Sequence, residues 1–436
     1  GSSSGDSTSI FQEGIRIPPI KLLNRGEINQ EVLDMILLNC RTPEERLGDL
    51  RAQIAANRIG EIRVTEVVAK YGLKTFQEGM NEYLSYAERK IREGIKKIPD
   101  GVYTFTDYLD DDGIDLDKER LPIKLKVSIN GDSIHLDFTG SCQQVKGGIN
   151  VVKTALLATI YYALKAIVDP TIPSNAGYYR AIDVTAPEGT IVNAVEPASV
   201  GGRTDTCQRI VDVIFGALSK AVPEKVVAGC NSAVTTVMFS GYDSRTKKFF
   251  VYPESLGGGL GARPFKDGMD GVHVHVTNSS NLPVECLEIE YPLMVERFEL
   301  RKDSGGAGKY RGGLGIRRDY RILEPMEFAS HADRQKTKPW GLFGGLSGSS
   351  GRFVINPGTS NERLLPSGKV SEIQLHTDDI LSAQTPGAGG YGKPEERDID
   401  EIENDILEGK VSQSAVVKDY HPDSELETIH HDKTTV

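Results

Sequence analysis

At Pro99-Asp100-Gly101 the chain changes its hydrophobic period, and that change limits the folds open to it. Before the tripeptide, apolar residues recur at helical spacing. EVLDMILLNC (31–40) is one such run, within a stretch, 29–97, that reads as helical throughout. TPEERLGDLRAQIAANRIGEIRVTEVVAKYG (42–72) opens with a Thr-Pro-Glu-Glu start signal, and Leu73 to Ile98 predicts a further helix with Gly79 as its weakest point. After the tripeptide the period is two. GVYTFTDYL (101–109), LPIKLKVSI (121–129) and SIHLDFTGS (133–141) predict strands of an antiparallel meander. Runs of helix followed by runs of strand point to an α+β protein.

The rest of the chain extends that pattern. A helix over 153–168, a strand near 180–186 and a glycine turn leading into the helix VGGRTDTCQRIVDVIFGALSKAV (200–222) are expected, with Thr or Asp as the N-cap. Strands are expected near 234–240, 248–253 and 271–277. Beyond 295, short β runs and glycine predict an all-β lobe. EERDIDEIENDILEG (395–409) predicts a charged helix, followed by a polar tail expected to be disordered. The expected division is a helical region over 1–100, a mixed α/β region over 101–295, a β-rich lobe over 296–393, and a helix and tail over 394–436. DDDGIDLD (110–117) lacks the spacing and closing Glu of a calcium loop and reads as a hairpin loop.

Charge and cysteine usage exclude some classes. A net charge of −11 argues against nucleic acid or an anionic membrane as the main partner, since both demand basic patches. The longest apolar stretch, VVKTALLATIYYALKAIV (151–168), carries two lysines and reads as a buried helix rather than a membrane span. Five scattered cysteines without a C-x-x-C pair suggest reduced thiols and a cytoplasmic location.

Several short stretches are candidates for chemistry. In GVHVHVTN (271–278), a strand would place His273 and His275 on one face, with Thr277 and Asn278 adding polar groups at its end. Two such imidazoles share a metal, bind a substrate, or form a polar strand edge; function and structure stand about even. PESLGGGLGARP (253–264) places Glu254 at the mouth of a loop in which Gly257, Gly258 and Gly259 let amides approach a ligand, the alternative being a plain glycine turn. VGGRTDTCQR (200–209) sets Gly201, Gly202, Arg203 and Asp205 at a helix N-terminus. There an anion or polarised carbonyl is stabilised, unless the group is only a cap with a surface ion pair. SGGAGKYRGGLG (304–315) fails as a phosphate loop, because Asp303 and Tyr310 stand where glycine and Ser or Thr are required; its glycines read as hairpin turns. In HADR (331–334), His331 and Arg334 could reach a pocket, but satisfied surface is the preferred reading; TPGAGGYG (385–392) reads as a turn-rich loop.

Taken together, FQEGIRIPP (11–19), RTPEERLGDLRAQIAANRIG (41–60), IPSNAGYYRAI (172–182), EPASVGGRTDTCQRIVDVIFGAL (196–218), GVHVHVTNS (271–279), YPLMVERFELRKDSGGAGKYRGGLG (291–315) and TPGAGGYGKP (385–394) resemble the B-type subunit of the hydantoinase/oxoprolinase family. Its members include N-methylhydantoinases, 5-oxoprolinases, a caprolactam hydrolase and ketone carboxylases. The resemblance implies a hetero-oligomer in which a hydantoinase A-type subunit uses ATP to phosphorylate a small cyclic amide. The B-type subunit then completes hydrolysis with a divalent metal, Zn or Mn. That metal is expected mainly on a segment ending in H-x-D-I-G-G, which would directly precede GSSSGDST. A cut subunit, or a separate N-terminal piece of the B-type subunit, is therefore expected, and no metal ligand is assigned to this chain. His273, His275, Glu254, Arg203 and Asp205 are the implied catalytic groups. Gly201, Gly202, Gly257, Gly258, Gly259 and Asn278 are the implied substrate contacts. Two other readings stay open: a ketone carboxylase subunit using bicarbonate, and a non-catalytic assembly subunit with 29–97 as its oligomer interface.

Overall fold

Gly72, at φ +81°, separates two long helices in the computed structural model, which describes residues 7–116 and 120–420. The polar tail beyond 420 and Asp117 of the acidic loop lie outside the described residues. A two-strand ribbon, β1 (Leu23–Asn24) and β2 (Glu27–Ile28), leads into α1 (Gln30–Leu38), capped by the Asn29 side chain. Then follow α2 (Pro43–Tyr71), with proline at its start and Glu44 and Glu45 in its first turn, and α3 (Leu73–Ile95). Residues Ala87, Ile91 and Ile95 of α3, four apart, enter the core.

The period-two segments form the expected meander: β3 (Gly101–Leu109), β4 (Leu121–Asn130) and β5 (Ser133–Asp137) pair antiparallel. Inward residues of β4 alternate strictly with outward ones. After α4 (Lys153–Val168) and α5 (Ala176–Tyr179), β6 (Ile182–Thr185) adds to β5 in parallel. Against this sheet packs α6 (Arg203–Leu218), whose Ile210, Val213 and Ile214 share one core with α3, α4 and the sheet.

A second core lies between two antiparallel sheets. One has the order β14-β11-β7-β8, from β7 (Thr235–Asp243), β8 (Lys248–Leu256), β11 (Met326–His331) and β14 (Val370–Leu375). It draws strands from both sides of residue 295. The other has the order β13-β12-β15-β10-β9, from β9 (Leu293–Leu300), β10 (Ile316–Ile322), β12 (Arg352–Ile355), β13 (Arg363–Leu364) and β15 (Ile380–Gln384). Phe239, Tyr320, Phe328 and Phe353 join the two faces. The short helix α7 (Val284–Glu290) connects to β9, and α8 (Ile399–Leu407) and α9 (Gln413–Asp419) close the described chain. The fold is α+β.

Two local expectations are corrected. Residues 271–277 are not a strand. Only Val272 makes a bridge, to Gly258, and His275 sits at φ +52° in a turn closed by Thr277 N–H on Val274 O. The strand alternation that would pair the two histidines is thereby lost. HADR is not surface: His331, Asp333 and Arg334 are buried, because they meet the polar side of α6.

Candidate active site

Helix α6 carries the candidate site. Fourteen of its sixteen residues are buried, among them Asp205, Gln208, Arg209 and Asp212, at i, i+3, i+4 and i+7. That spacing lines the four polar groups along one stripe. Each buried charge there requires a partner, since an unpaired ion in the interior is costly. The residues after β11 supply them. Arg209 Nη2 donates to Asp333 Oδ1 at 2.8 Å, and Lys369 Nζ donates to Asp333 Oδ2 at 2.7 Å. Burial alone would raise the Asp333 carboxyl, but these two cations hold it well below the ordinary carboxylate range. Arg334 Nη2 lies 2.9 Å from both Asp107 Oδ2 and Asp212 Oδ2, bridging β3 to α6. The acidic loop joins this layer. Asp110, Asp111 and Asp112 are buried, and Asp110 accepts from the amides of Gln335, Lys336 and Thr337.

His275 closes one end of the layer. Its Nε2 is 2.9 Å from Asp212 Oδ1, between the rings of Phe215 and Tyr162. Asp212 Oδ2 also accepts from Ser232 Oγ, and Oδ1 from the Cys230 amide. Burial would depress the imidazole, but the Cys230 sulfur and the Asp212 carboxylate beside it raise its pKa to about 10. Gln208 Nε2 donates to Val274 O and Thr277 Oγ1, which fixes the loop that carries His275. His273 is separate: it is half-buried, its Nε2 has no hydrogen-bond partner, and burial lowers its pKa.

The other end is the N-terminus of α6. Neither Thr204 nor Asp205 caps it; Gly202 is the N-cap, and the turn before it carries the donors. Ser199 Oγ, Val200 N–H and Gly201 N–H all reach Glu13 Oε1, the two amides at 2.7 and 2.5 Å. Asp205 accepts from Val234 N–H at 2.7 Å, and its Oδ2 stands 2.7 Å from His331 Nδ1. Arg203 is exposed.

The remaining candidates lie elsewhere. Glu254 is buried, with Oε1 accepting from Arg318 Nη1 (3.0 Å) and Leu282 N–H, and Oε2 from the Tyr320 hydroxyl (2.8 Å). Gly258 and Gly259 donate their amides to Val272 O and Pro386 O. A Cβ at Gly259 would lie 2.1 Å from Gly313 O, so close backbone packing explains the glycine. Asn278 is exposed. The site thus unites Asp205 with His331, and His275 with Asp212 and Cys230. Asp212, Cys230, Glu13 and Asp333 were not among the sequence candidates, and His331 and Arg334 were weighed but set aside as surface. The signal was present in the polar stripe of DTCQRIVD and in the density of ionisable groups in HADR.

Asp212, Cys230 and His275 offer ligand atoms within 4.8 Å of one another. They do not fit a divalent metal, because four donors already fill the Asp212 carboxylate and one of them is the Arg334 guanidinium. No step is assigned to a metal on these residues. Among the described residues no helix is long and apolar enough to cross a membrane.

An α+β chain with a polar layer around one buried helix is the class that fold and site define. The Hydantoinase B/oxoprolinase pattern matches residues 1–394, and the chain belongs to that family. It is 35% identical over 426 residues to the B-type subunit of a putative D-/L-hydantoinase from a Pseudomonas species, covering 95% of this chain and 71% of that one. The crystal structure of the ATP-dependent caprolactamase from Pseudomonas jessenii superposes with a TM-score of 0.85 at 27% identity, over 95% of this chain and 73% of that one. Nucleotide-free acetone carboxylase, at 18% identity and a TM-score of 0.86 over 96% of this chain and 62% of that one, shares the fold.

Proposed function

We propose that this chain is the B-type subunit of an ATP-dependent complex and that it completes the opening of a cyclic amide activated on an A-type partner. The observation that carries this reading is the likeness, along nearly the whole chain, to an ATP-dependent caprolactamase at 27% identity. The hydantoinase relative is named as one subunit of a larger enzyme, which supports the partner. In this reading the partner transfers phosphate to the amide oxygen, which converts a poor electrophile into one with a good leaving group. The Val200 and Gly201 amides, at the positive end of the α6 dipole, hold Glu13 Oε1 in the resting chain and, once Glu13 leaves them, stabilise the negative charge that develops on attack. Asp205 fixes the imidazole of His331 beside them. His275, held by Asp212, and Arg334 keep the layer rigid. Glu254 is given no proton-transfer role, since Arg318 and Tyr320 engage both its oxygens. The Zn or Mn ion expected from the resemblance is assigned to no residue described here.

The test is reconstitution with an A-type partner, ATP, and a panel of hydantoin, 5-oxoproline and caprolactam. Ring-opened acid that forms only when both chains and ATP are present is the expected result. Bicarbonate-dependent consumption of acetone without ring opening would replace the reading with a carboxylase. Turnover that persists without this chain would leave it an assembly subunit.

A further inference from the structure

The turn before α6 is built to hold one anionic oxygen, and a side chain of the same protein holds the place. Ser199 Oγ, Val200 N–H and Gly201 N–H converge on Glu13 Oε1. A second observation also points into this turn. His331 is 4% exposed, its Nδ1 faces Asp205 Oδ2, and its Nε2 has no hydrogen-bond partner. That Nε2 is aimed at Gly202, where an added Cβ would lie 1.8 Å from it. Gly202 is therefore small because an imidazole occupies the space of its side chain. Gly148 forms the opposite wall: it accepts from Gly202 N–H, and a Cβ there would lie 3.3 Å from Ser199 Oγ and 3.9 Å from Glu13 Oε1.

Glu13 lies between a short capped turn, Ile10–Gln12 behind the buried Ser7, and a lightly held stretch. Residues 14–21 are all exposed. The neighbouring contacts are the Ile10 amide on Pro197 O and an exposed ion pair of Arg16 with Glu196, a kind of contact that contributes little. Replacing one carboxylate by another leaves the donors of the turn satisfied, so the exchange costs the cradle little.

We propose that the α6 N-terminal turn is an exchangeable carboxylate site, in which Glu13 is the resting occupant and an external carboxylate displaces it, releasing the segment that carries Glu13. Opening the phosphorylated cyclic amide with two waters breaks the carbonyl carbon–nitrogen bond, releases inorganic phosphate, and leaves a carboxylate and the ring nitrogen as an N–H group. The carboxylate so formed is the ligand, and for its origin alone the inference rests on the cyclic-amide reading. Binding itself is measured without partner or ATP, so the two ideas fail separately.

The experiment titrates the chain with acetate, and in parallel with inorganic phosphate and chloride at equal ionic strength. Tryptic cleavage after Arg16 reports release of that segment. In the native chain, cleavage is expected to rise saturably with acetate and not with chloride. In Glu13→Gln, which removes the internal competitor's charge, acetate is expected to bind about tenfold tighter or more, as loss of a tethered competitor requires. Ser199→Ala in that background is expected to weaken acetate severalfold. Cleavage that does not respond to acetate, with no saturable binding in Glu13→Gln, would reduce Glu13 to a structural latch and overturn the proposal. Phosphate outcompeting acetate would overturn the assignment of a carboxylate. If Glu13→Gln does not fold, the native-chain titration decides alone.

Discussion

Helices α2 and α6 reverse the usual relation between polarity and burial. Over twenty-nine residues, α2 buries none, and it leaves Ile59, Ile62, Val64 and Val67 exposed. Over sixteen residues α6 buries fourteen, with Asp205, Gln208, Arg209 and Asp212 at 0% exposure. The difference teaches that in α6 a polar residue inside is a statement about partners. Every charge on its stripe has a partner from elsewhere in the chain: Arg209 meets Asp107 and Asp333, Asp212 meets Arg334 and the Cys230 amide, and Asp205 meets the Val234 amide and His331. The contacts of helix α2 run mainly to α1 and α3. Its apolar residues belong to no core of the described chain, and α3 is the long helix that does enter the core, through Ala87, Ile91 and Ile95.

The sharpest way to break the comparison is to remove one ion from the α6 layer. Asp333→Ala strands Arg209 and Lys369, both buried, without their shared carboxylate. A loss of about 3–5 kcal/mol is expected, as for a broken buried ion pair. It should appear in urea unfolding as a lower midpoint with an unchanged slope. A loss under about 1 kcal/mol would mean that the layer is solvated and α6 is not a buried polar helix.

A milder probe titrates the layer in place. The folded pKa of His275, about 10, lies above its ordinary 6.5. Its contribution to stability is therefore complete below pH 6.5 and is lost as pH rises through about 10. Between those limits stability should fall by at most about 1.4 kcal/mol per pH unit. His275→Gln should flatten this part of the profile. A native profile already flat from pH 6.5 to 10 would show that His275 stays neutral beside Asp212.

Much of the fold was legible because local signals carry it. The break at Pro99-Asp100-Gly101, the alternation of β4 and the proline start of α2 are properties of neighbouring residues. The site was legible in part. VGGRTDTCQR marked the α6 N-terminus correctly, but its donors were expected to serve a ligand with Arg203, and Arg203 is exposed to solvent. His331 was set aside as surface because nothing within four residues of HADR shows that it meets a helix more than a hundred residues earlier. GVHVHV misled for a related reason. Alternating valines signal a strand, but the Asp212 carboxylate holds His275, and the Gln208 amide holds the carbonyl of Val274 and the hydroxyl of Thr277, so tertiary hydrogen bonds turn the backbone. Glu254 looked catalytic beside glycines, but the Arg318 that neutralises it lies 64 residues further on.

The smallest expected effect tests the other helix. Ile59→Glu together with Ile62→Glu places two charges on the exposed side of α2. If α2 is as unpartnered as its exposure indicates, the change in unfolding free energy of the isolated chain stays within about 0.5 kcal/mol, the range for surface substitutions. The pair lies three residues apart, on one side of the helix, so any surface that covers one covers the other. A loss approaching that of Asp333→Ala would mean that these isoleucines are covered in the purified protein by another copy of the chain. Sedimentation at falling concentration would then show the double variant dissociating first. In that case α2 has a partner of its own, outside the chain, and the two helices differ only in where their partners come from.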